Sequence, residues 1–567
     1  MRHFLVLLGV IAPAMLFASC GGDNASAVGG DGDGGSDATV GGDGATGNDG
    51  ATGNDGSMGG DGAIGGDGAT GGDGAGDAGP VVGASVLERN NGPRREGHFV
   101  APTLTKTAAA TMKLDATFNA TFTGNVYASP LYVENGVGGK GTFVIVTESN
   151  DVIAFDETTG AQQWKVNLGT PATQTGAGCG NILPLGITGT PYIDLATRTI
   201  YLSAATGTAT TITTHSIHAL SLDTGMSRGN GFPYDVSTVT AINGGQGFAP
   251  SLQNQRGSLT AVGGQIYVPY GGHYGDCGTY HGWVVAVPIA NPSTAKGYRT
   301  PARGAGIWAP GGVASDGTNV FATTGNSFGA AAFQGGEAIV RLGPLGAFSG
   351  MAADYFVPSN WIAMDNSDLD LGGTGPMLVD VPGANPSALV VAMSKTGVVH
   401  VANRTNLGGI ANGNGTTGEG VVSDKLANGE IINAGASYKT AAGAYIVLHG
   451  GGGGAKCPGG QSGDLVAAKI GATSPPTLTT AWCANNLGQG SPIVTTTDGT
   501  SNAIVWTAGA EASQRLHGFD GDTGAVVFGG GGAGDVMSGL RRFTSPIAVK
   551  GRIILAGNGR VFAFKPQ

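Results

Sequence analysis

The sequence predicts an all-β fold, an eight-bladed β-propeller of four-stranded antiparallel blades that follows a disordered linker. Short β-branched or aromatic runs, such as residues 143–147 and 445–448, alternate with turns rich in Gly, Asn, Asp and Pro. No long stretch of the chain has sustained helical periodicity. The strands also recur in units of roughly 60 residues, which is the sequence signature of a propeller.

A small residue followed by proline opens most of these units. The prolines are Pro130, Pro191, Pro250, Pro310, Pro376, Pro492 and Pro546. The one double-length gap, between Pro376 and Pro492, contains a start without proline at residues 435–438, so the count is eight, with seven blades as the alternative. A single four-stranded sheet leaves both faces bare, and stacking the units around an axis buries them. The last unit offers only three strands, and residues 111–118 are predicted to supply the fourth and pin the chain ends together.

The amino terminus predicts export and lipidation. A positive start, Met1-Arg2-His3, precedes an apolar run over residues 4–17 that is too short to span a bilayer comfortably. Small residues before Cys20 then resemble a bacterial lipobox, which implies a signal peptide over 1–19 and acylation of Cys20. An ordinary signal cut near Ala18 or Ser19 is the alternative. Gly21 replaces the aspartate known as an inner-membrane retention signal, which favours an outer-membrane lipoprotein on the periplasmic or surface face.

Residues 20–95 are predicted to be a low-complexity linker, and 96–567 the propeller. Residues 21–80 are nearly all Gly, Asp, Ala, Thr and Asn, too polar to offset the entropy of ordering them. A collagen-like helix lacks its prolines here, and a calcium β-roll needs a nine-residue unit rather than this six-residue one. The stretch holds 11 of the 39 acidic residues and no Lys or Arg, leaving 28 acidic against 28 basic residues elsewhere. A neutral folded part has no electrostatic footprint for nucleic acid.

Four cysteines remain besides Cys20, and an even number in an exported chain predicts two disulfides. They are Cys179, Cys277, Cys457 and Cys483. Three pairings are open. Cys457 with Cys483 would staple one blade, and Cys179 with Cys277 would then close a longer loop between blades. No paired Cys/His spacing for structural zinc or c-type haem is present.

The repeat itself resembles that of pyrroloquinoline-quinone (PQQ) propellers, the quinoprotein alcohol dehydrogenase-like family. The likeness is carried by residues 152–164, which end in Asp156-Glu-Thr-Thr-Gly160 and Trp164, and by the Asp-Thr-Gly turns of 218–225 and 516–524. In such repeats the tryptophan docks between blades, and only Trp164 is well placed for this. Residues 182–191, 253–256 and 273–283 are similar to a secreted branch of the family. The family contains both dehydrogenases and lipoproteins that bind no quinone.

If the chain is an enzyme, the resemblance implies PQQ in the central channel, a Ca²⁺ ion, an aspartate base and usually two adjacent cysteines. Adjacent cysteines are absent. Trp308 is the candidate floor for a quinone, and an inner-strand residue packed between blades is the alternative role for it. Asp365, Asp368 and Asp370 could hold a hard cation through oxygen ligands, unless they only cap a turn.

A second candidate site is the loop that contains His273, Asp276 and His281, between the second and third strands of blade 3. It is dense in groups that transfer protons or bind metals, and such loops lie at a rim of the propeller. A loop held only by its disulfide and aromatic packing is the alternative. The sequence therefore favours a monomeric, non-catalytic binding or scaffold module of the cell envelope. This module would present its rim to protein or glycan partners. The sequence assigns this module no cofactor. The alternative is a PQQ- and calcium-dependent dehydrogenase of the periplasm.

Overall fold

A computed structural model describes residues 85–173 and 179–567. The described chain forms eight antiparallel sheets, one for each predicted repeat, and so confirms the eight-bladed propeller. The predicted signal peptide, Cys20 and most of the predicted linker lie outside the described residues. Among the described residues, no helix is long and apolar enough to cross a bilayer.

The first four blades run from the inner to the outer strand in chain order. Their strands are Leu131–Val133, Thr142–Val146, Asp151–Asp156 and Gln162–Asn167 in blade 1; Tyr192–Asp194, Thr199–Gly207, Ile212–Ser221 and Tyr234–Asp235 in blade 2; Thr260–Val262, Gln265–Tyr270, Trp283–Pro288 and Lys296–Arg299 in blade 3; and Ala314–Ser315, Val320–Thr323, Ile339–Leu342 and Tyr355–Val357 in blade 4. Thr240–Ala241 and Gly409–Ile410 add a short parallel strand outside blades 3 and 4.

The other four blades repeat this order. Their strands are Met377–Asp380, Ala388–Met393, Val398–Asn403 and Val422–Lys425 in blade 5; Ala436–Thr440, Gly443–His449, Leu465–Gly471 and Thr477–Ala484 in blade 6; Ile493–Thr496, Ile504–Ala508, Leu516–Asp520 and Val526–Phe528 in blade 7; and Ile547–Val549, Arg552–Gly557 and Arg560–Lys565 in blade 8. The two α-helices of the described chain are short, Lys106–Ala109 and Trp361–Asp365.

The ring closes as the sequence predicted. Lys113–Leu114 pairs antiparallel with the last strand of blade 8, with Lys113 opposite Lys565, and Ala120–Thr121 pairs farther along the same strand. The chain before blade 1 therefore completes the final sheet. Blade 6 begins without the proline of the other repeats, and Ala436–Thr440 nevertheless forms a regular inner strand.

The hydrophobic core lies between neighbouring blades. Leu131 and Val144 of blade 1 pack with Ile193 and Leu202 of blade 2, and equivalent apolar clusters follow at each seam around the ring. Each sheet is therefore buried on both faces, which explains why its strands read as nearly continuous apolar runs.

Residues 85–97, which the sequence analysis placed in or next to the linker, form an axial segment inside the ring. The segment hydrogen-bonds the inner strands of neighbouring blades, including Tyr132, Ile193, Ser315, Leu378, Ser437 and Val494. Arg95 donates to the Leu259 and Val313 carbonyls at 2.8 Å each, and Arg89 donates to the Phe543 carbonyl at 2.6 Å, so blades 3 and 8 are contacted too. His98–Val100 then adds a parallel strand along the inner edge of blade 7.

Both predicted disulfides are present. Cys457 bonds to Cys483 within blade 6, and Cys179 bonds to Cys277 across a separation of 98 residues. The second bond joins the connection that leads into blade 2 to the long loop of blade 3. Two disulfides are typical of proteins outside the cytoplasm.

Candidate functional site

Strand direction brings the candidate residues to one end of the channel. The inner strand of each blade begins at the same face where its second strand ends and its third begins, because neighbouring strands are antiparallel. Trp308 and Asp370 precede inner strands, whereas Glu148 and Lys395 lie between second and third strands. The axial segment occupies the channel beyond them. We call the group of residues at this end of the channel the cup, and define it by Glu148, Arg256, Trp308, Asp370 and Lys395.

Trp308 is half-buried in the cup and is flanked by two cations. The Arg256 guanidinium carbon and the Lys395 Nζ atom each lie 5.6 Å from the centre of its ring. Gly271 and Gly325 allow this close packing, since a Cβ at Gly271 would be 2.9 Å from the Trp308 Cβ. Trp308 therefore presents a partly exposed aromatic surface beside charged groups of both signs, which suits a planar ligand.

Asp370 lies beside Trp308. A Cβ at Gly325 would be 2.7 Å from Asp370 Oδ1 and 3.1 Å from Trp308 Nε1, so the two side chains approach the same point of the backbone. Asp370 Oδ1 also accepts a hydrogen bond from the Asn326 backbone amide at 2.6 Å.

The three aspartates predicted as cation ligands have other partners. Lys395 Nζ contacts Asp368 Oδ1 at 2.9 Å and Asp370 Oδ2 at 2.7 Å. Asp365 instead accepts hydrogen bonds from the backbone amide and hydroxyl of Ser327. Within residues 85–173 and 179–567, no three His, Cys, Asp or Glu side chains are arranged to hold a metal ion.

A carboxyl group that the sequence analysis did not single out, Glu337, lies behind Asp370. Its Oε2 atom accepts from the Leu371 amide, and its Oε1 atom has no hydrogen-bond partner. Burial and the nearby Asp370 hold the pKa of Glu337 well above its usual value. No sequence pattern marks Glu337, because its neighbours are glycine, alanine and loop residues.

In the loop of blade 3, His281 and Asp276 form hydrogen bonds that hold the loop in place. His281 Nδ1 lies 2.6 Å from the Ala302 carbonyl and 3.0 Å from that of Thr300, which ties the loop to the following segment. Burial lowers the pKa of His273 to about 3, so His273 is neutral at physiological pH. Asp276 accepts a hydrogen bond from the Tyr280 hydroxyl at 2.6 Å, and burial raises the pKa of Asp276. Asp276 is close enough to the cup to interact electrostatically with Arg256.

The docking role predicted for Trp164 is seen in the structure, and a second tryptophan was missed. Trp164 Nε1 donates to the Leu222 carbonyl of blade 2 at 2.9 Å. Trp482 Nε1 likewise donates from blade 6 to the Gly521 carbonyl of blade 7 at 2.8 Å. The statement that only Trp164 is well placed was therefore wrong. The signal that could have found Trp482 is its position in an outer strand ahead of the Asp520–Gly524 turn.

Comparison with known proteins supports the fold. No protein-family model matches the chain, and no curated protein matches it. Among solved structures, the quinohemoprotein alcohol dehydrogenase of Comamonas testosteroni has a TM-score of 0.54 at 14% identity, covering 85% of this chain and 80% of that one. The quinohemoprotein alcohol dehydrogenase of Pseudomonas putida HK5 gives 0.56 at 12% identity, covering 86% and 80%.

A europium-containing methanol dehydrogenase gives a TM-score of 0.53 at 13% identity, covering 84% of this chain and 89% of that one. At such identities the likeness extends to the propeller architecture alone. The chain therefore shares the fold of quinoprotein alcohol dehydrogenases.

Proposed function

We propose that the protein is a cell-envelope lipoprotein whose propeller is a binding module without catalytic activity, with the cup as its binding site. The observation that carries the proposal is the partly exposed Trp308, whose ring centre lies 5.6 Å from both the Arg256 guanidinium carbon and Lys395 Nζ. Aromatic surface with a few convergent charges is the usual composition of a ligand site. Protein or glycan partners would reach it through the rim.

Release of a bound compound tests this proposal. The full-length protein and a Trp308→Ala variant would be purified from cells, denatured, and the released small molecules compared by mass spectrometry. We expect a compound that accompanies the wild type and is depleted at least tenfold from Trp308→Ala. Met226→Ala is the control, because Met226 is 71% exposed and follows the third strand of blade 2, at the end of the blades opposite the cup. Equal recovery from Trp308→Ala and wild type would remove the cup as the binding site.

Membrane attachment through Cys20 is the second part of the proposal. The lipobox-like sequence before Cys20 supports it, as do the two disulfides typical of an exported chain. A Cys20→Ser variant should move from the outer-membrane fraction to the soluble fraction of the envelope, because a serine cannot receive the thioether-linked lipid. A variant that still sediments with membranes would contradict lipid anchoring.

A PQQ- and calcium-dependent dehydrogenase is the second candidate, and the position of Asp370 beside Trp308 favours it. When bound, the quinone would supply the redox chemistry, and Trp308 would be the residue beneath it. The carboxylates do not fit a calcium ion as they stand, because the Lys395 ammonium group already neutralises Asp368 and Asp370. The sequence also lacks adjacent cysteines.

Reconstitution separates the two candidates. The purified protein would be incubated with PQQ and Ca²⁺, and then examined for quinone absorbance and for alcohol-dependent dye reduction. The binding-module proposal expects no dye reduction with or without Ca²⁺. Reduction that disappears in Asp370→Asn and requires Ca²⁺ would establish the dehydrogenase instead.

A further inference from the structure

A closed ring of hydrogen bonds connects blades 6 and 7. Asn433 precedes the inner strand of blade 6, and Asn486 precedes that of blade 7. His449 Nε2 lies 3.3 Å from Asp464 Oδ2, and the Asn486 backbone amide donates to Asp464 Oδ1 at 2.6 Å. Asn433 Nδ2 lies 3.4 Å from His449 Nδ1. The Gly490 carbonyl oxygen completes the ring, because the Nδ2 atoms of Asn433 and Asn486 lie 3.3 and 3.4 Å from it.

Two buried amide oxygens in this ring have no partner. Asn433 and Asn486 are both 0% exposed, and the Oδ1 atom of each lacks a hydrogen bond. The amides cannot be turned over, because Asn433 Nδ2 donates to the Gln489 carbonyl at 2.9 Å and Asn486 Nδ2 donates to the Gly488 carbonyl at 2.6 Å. Leaving a buried acceptor unsatisfied is costly, so each oxygen indicates a missing donor or cation.

Asp464 gives the ring a negative charge that no lysine or arginine balances. Its one ion-pair partner among the described residues is His449. Burial alone would raise the pKa of Asp464, but the hydrogen bonds with His449 and with the Asn486 amide hold this pKa below its usual value. The carboxylate is therefore ionised at neutral pH. Its side chain is 26% exposed, which leaves one side of the ring open to solvent.

We propose that Asn433, Asp464 and Asn486 bind a hard cation, for which Ca²⁺ is the best fit, and that this ion ties blade 6 to blade 7. Ca²⁺ takes carboxylate oxygens together with amide and backbone carbonyl oxygens, and the ring supplies all three kinds. His449 is a positioning residue, because its hydrogen bond orients the carboxylate.

This site is separate from the cup. Within residues 85–173 and 179–567, none of the four ring side chains hydrogen-bonds to Trp308, Asp370 or another cup residue. The inference therefore does not depend on the proposed function of the cup. With a single carboxylate the site should be weak, and dissociation constants of about 10⁻⁴–10⁻³ M are typical of calcium sites in extracellular modules.

Calorimetric titration of the full-length protein, treated with EGTA and dialysed, with CaCl₂ tests the site. We expect saturable binding that Asp464→Asn weakens at least tenfold, because this change removes the one carboxylate. Calcium held by the aspartates of residues 21–80 would be unaffected, so the difference between the two proteins reports the site. Asp194→Asn is the matched control, since Asp194 lies in an exposed turn of blade 2 and its loss should change affinity less than twofold.

Titration with MgCl₂ and with NaCl identifies the ion. Mg²⁺ demands a regular octahedron and keeps its waters, so it should bind at least tenfold more weakly than Ca²⁺. Saturable binding of Mg²⁺ or Na⁺ alone, again lost in Asp464→Asn, would support a hard-cation site with that ion in place of Ca²⁺.

Asn433→Asp distinguishes a cation from a buried water molecule. The variant adds a carboxylate of the same shape, so it should bind Ca²⁺ at least tenfold more tightly than the wild type. Without calcium its Tm should fall below that of the wild type, and saturating CaCl₂ should restore it. If Asn433→Asp does not fold, Asn486→Asp serves in the same two measurements. No Asp464-dependent binding of any of the three ions, with no rise in Tm on adding CaCl₂ to the aspartate variant, would mean buried water only and would overturn the site.

Discussion

Trp164 and Trp482 each close a seam between two blades through a turn that only glycine can complete. Gly225 has a φ of 70°, and a Cβ there would be 2.7 Å from Trp164 Cε3. Gly524, with a φ of 75°, has the same relation to Trp482. Backbone handedness and close contact with the indole therefore demand glycine independently at these turns.

Replacing Gly225 separates these two demands. Gly225→Ala should destabilise the protein by about 2–4 kcal/mol, from the left-handed backbone and from the collision with Trp164. Gly229→Ala is the control, since Gly229 has a φ of 69° and nothing within 4 Å of an added Cβ. It should cost only about 1–2 kcal/mol. Denaturant unfolding measures both, and equal losses would show that the indole contact contributes nothing.

Some residues of the candidate site could be predicted from the sequence, and others could not. Trp308, Asp368 and Asp370 could be selected because an aromatic residue and clustered aspartates stand out in a glycine-rich chain. Glu148, Glu337 and Lys395 could not, because nothing near them in sequence distinguishes them from surface charges. Their significance arises only from burial and from neighbours contributed by other blades.

At the scale of elements, the axial segment is the feature that sequence analysis placed outside the propeller. Residues 88–95 include glutamate, three arginines, two asparagines, glycine and proline, a composition typical of exposed loops. The structure instead buries Arg95, Arg89 and Glu88 where the inner strands converge. Polar side chains are suited to this place because those strands present carbonyl groups to the axis.

The buried pair of Glu88 and Arg95 should be essential to the axial segment. The Arg95 Nη1 atom lies 2.8 Å from Glu88 Oε2, and Thr260 donates to the same oxygen at 2.8 Å. Arg95→Met should cost about 3–5 kcal/mol of unfolding free energy, because it leaves Glu88 buried without its counter-ion. Urea unfolding provides the measurement.

Two further variants identify the cause of the stability lost in Arg95→Met. Arg542→Met removes an exposed ion pair with Glu511 and should cost no more than about 1 kcal/mol. Adding Glu88→Gln to Arg95→Met should recover part of the stability, since it removes the unpaired charge. If Arg95→Met is as stable as the wild type, the axial segment does not stabilise the ring.

At the scale of the whole molecule, the repeat was enough to predict the fold. Each repeat needs neighbours on both faces, so the count of eight and the closure by residues before blade 1 followed from the pattern. The repeat pattern did not predict the cup. It assembles Glu148 of blade 1, Arg256 before blade 3, Trp308 before blade 4 and Lys395 of blade 5, and only the curvature of the closed ring brings these together.

The two disulfides constrain this ring over different distances. A chain-entropy account gives about 3–4 kcal/mol for the 26-residue separation of Cys457 and Cys483, and about 4–5 kcal/mol for the 98-residue separation of Cys179 and Cys277. The pair variant Cys179→Ala/Cys277→Ala should therefore lose more stability than Cys457→Ala/Cys483→Ala. Denaturant unfolding of the two pair variants beside the wild type measures the difference.

A larger loss of stability in Cys457→Ala/Cys483→Ala would indicate a different cause. The Cys457–Cys483 bond lies within one blade, where Cys483 is buried in the apolar cluster between blades 5 and 6. A larger loss there would show that packing inside a seam, rather than the entropy of the unfolded chain, decides what the bond contributes. Because each seam supports the next around a closed ring, damage to one blade would then lower the stability of all eight.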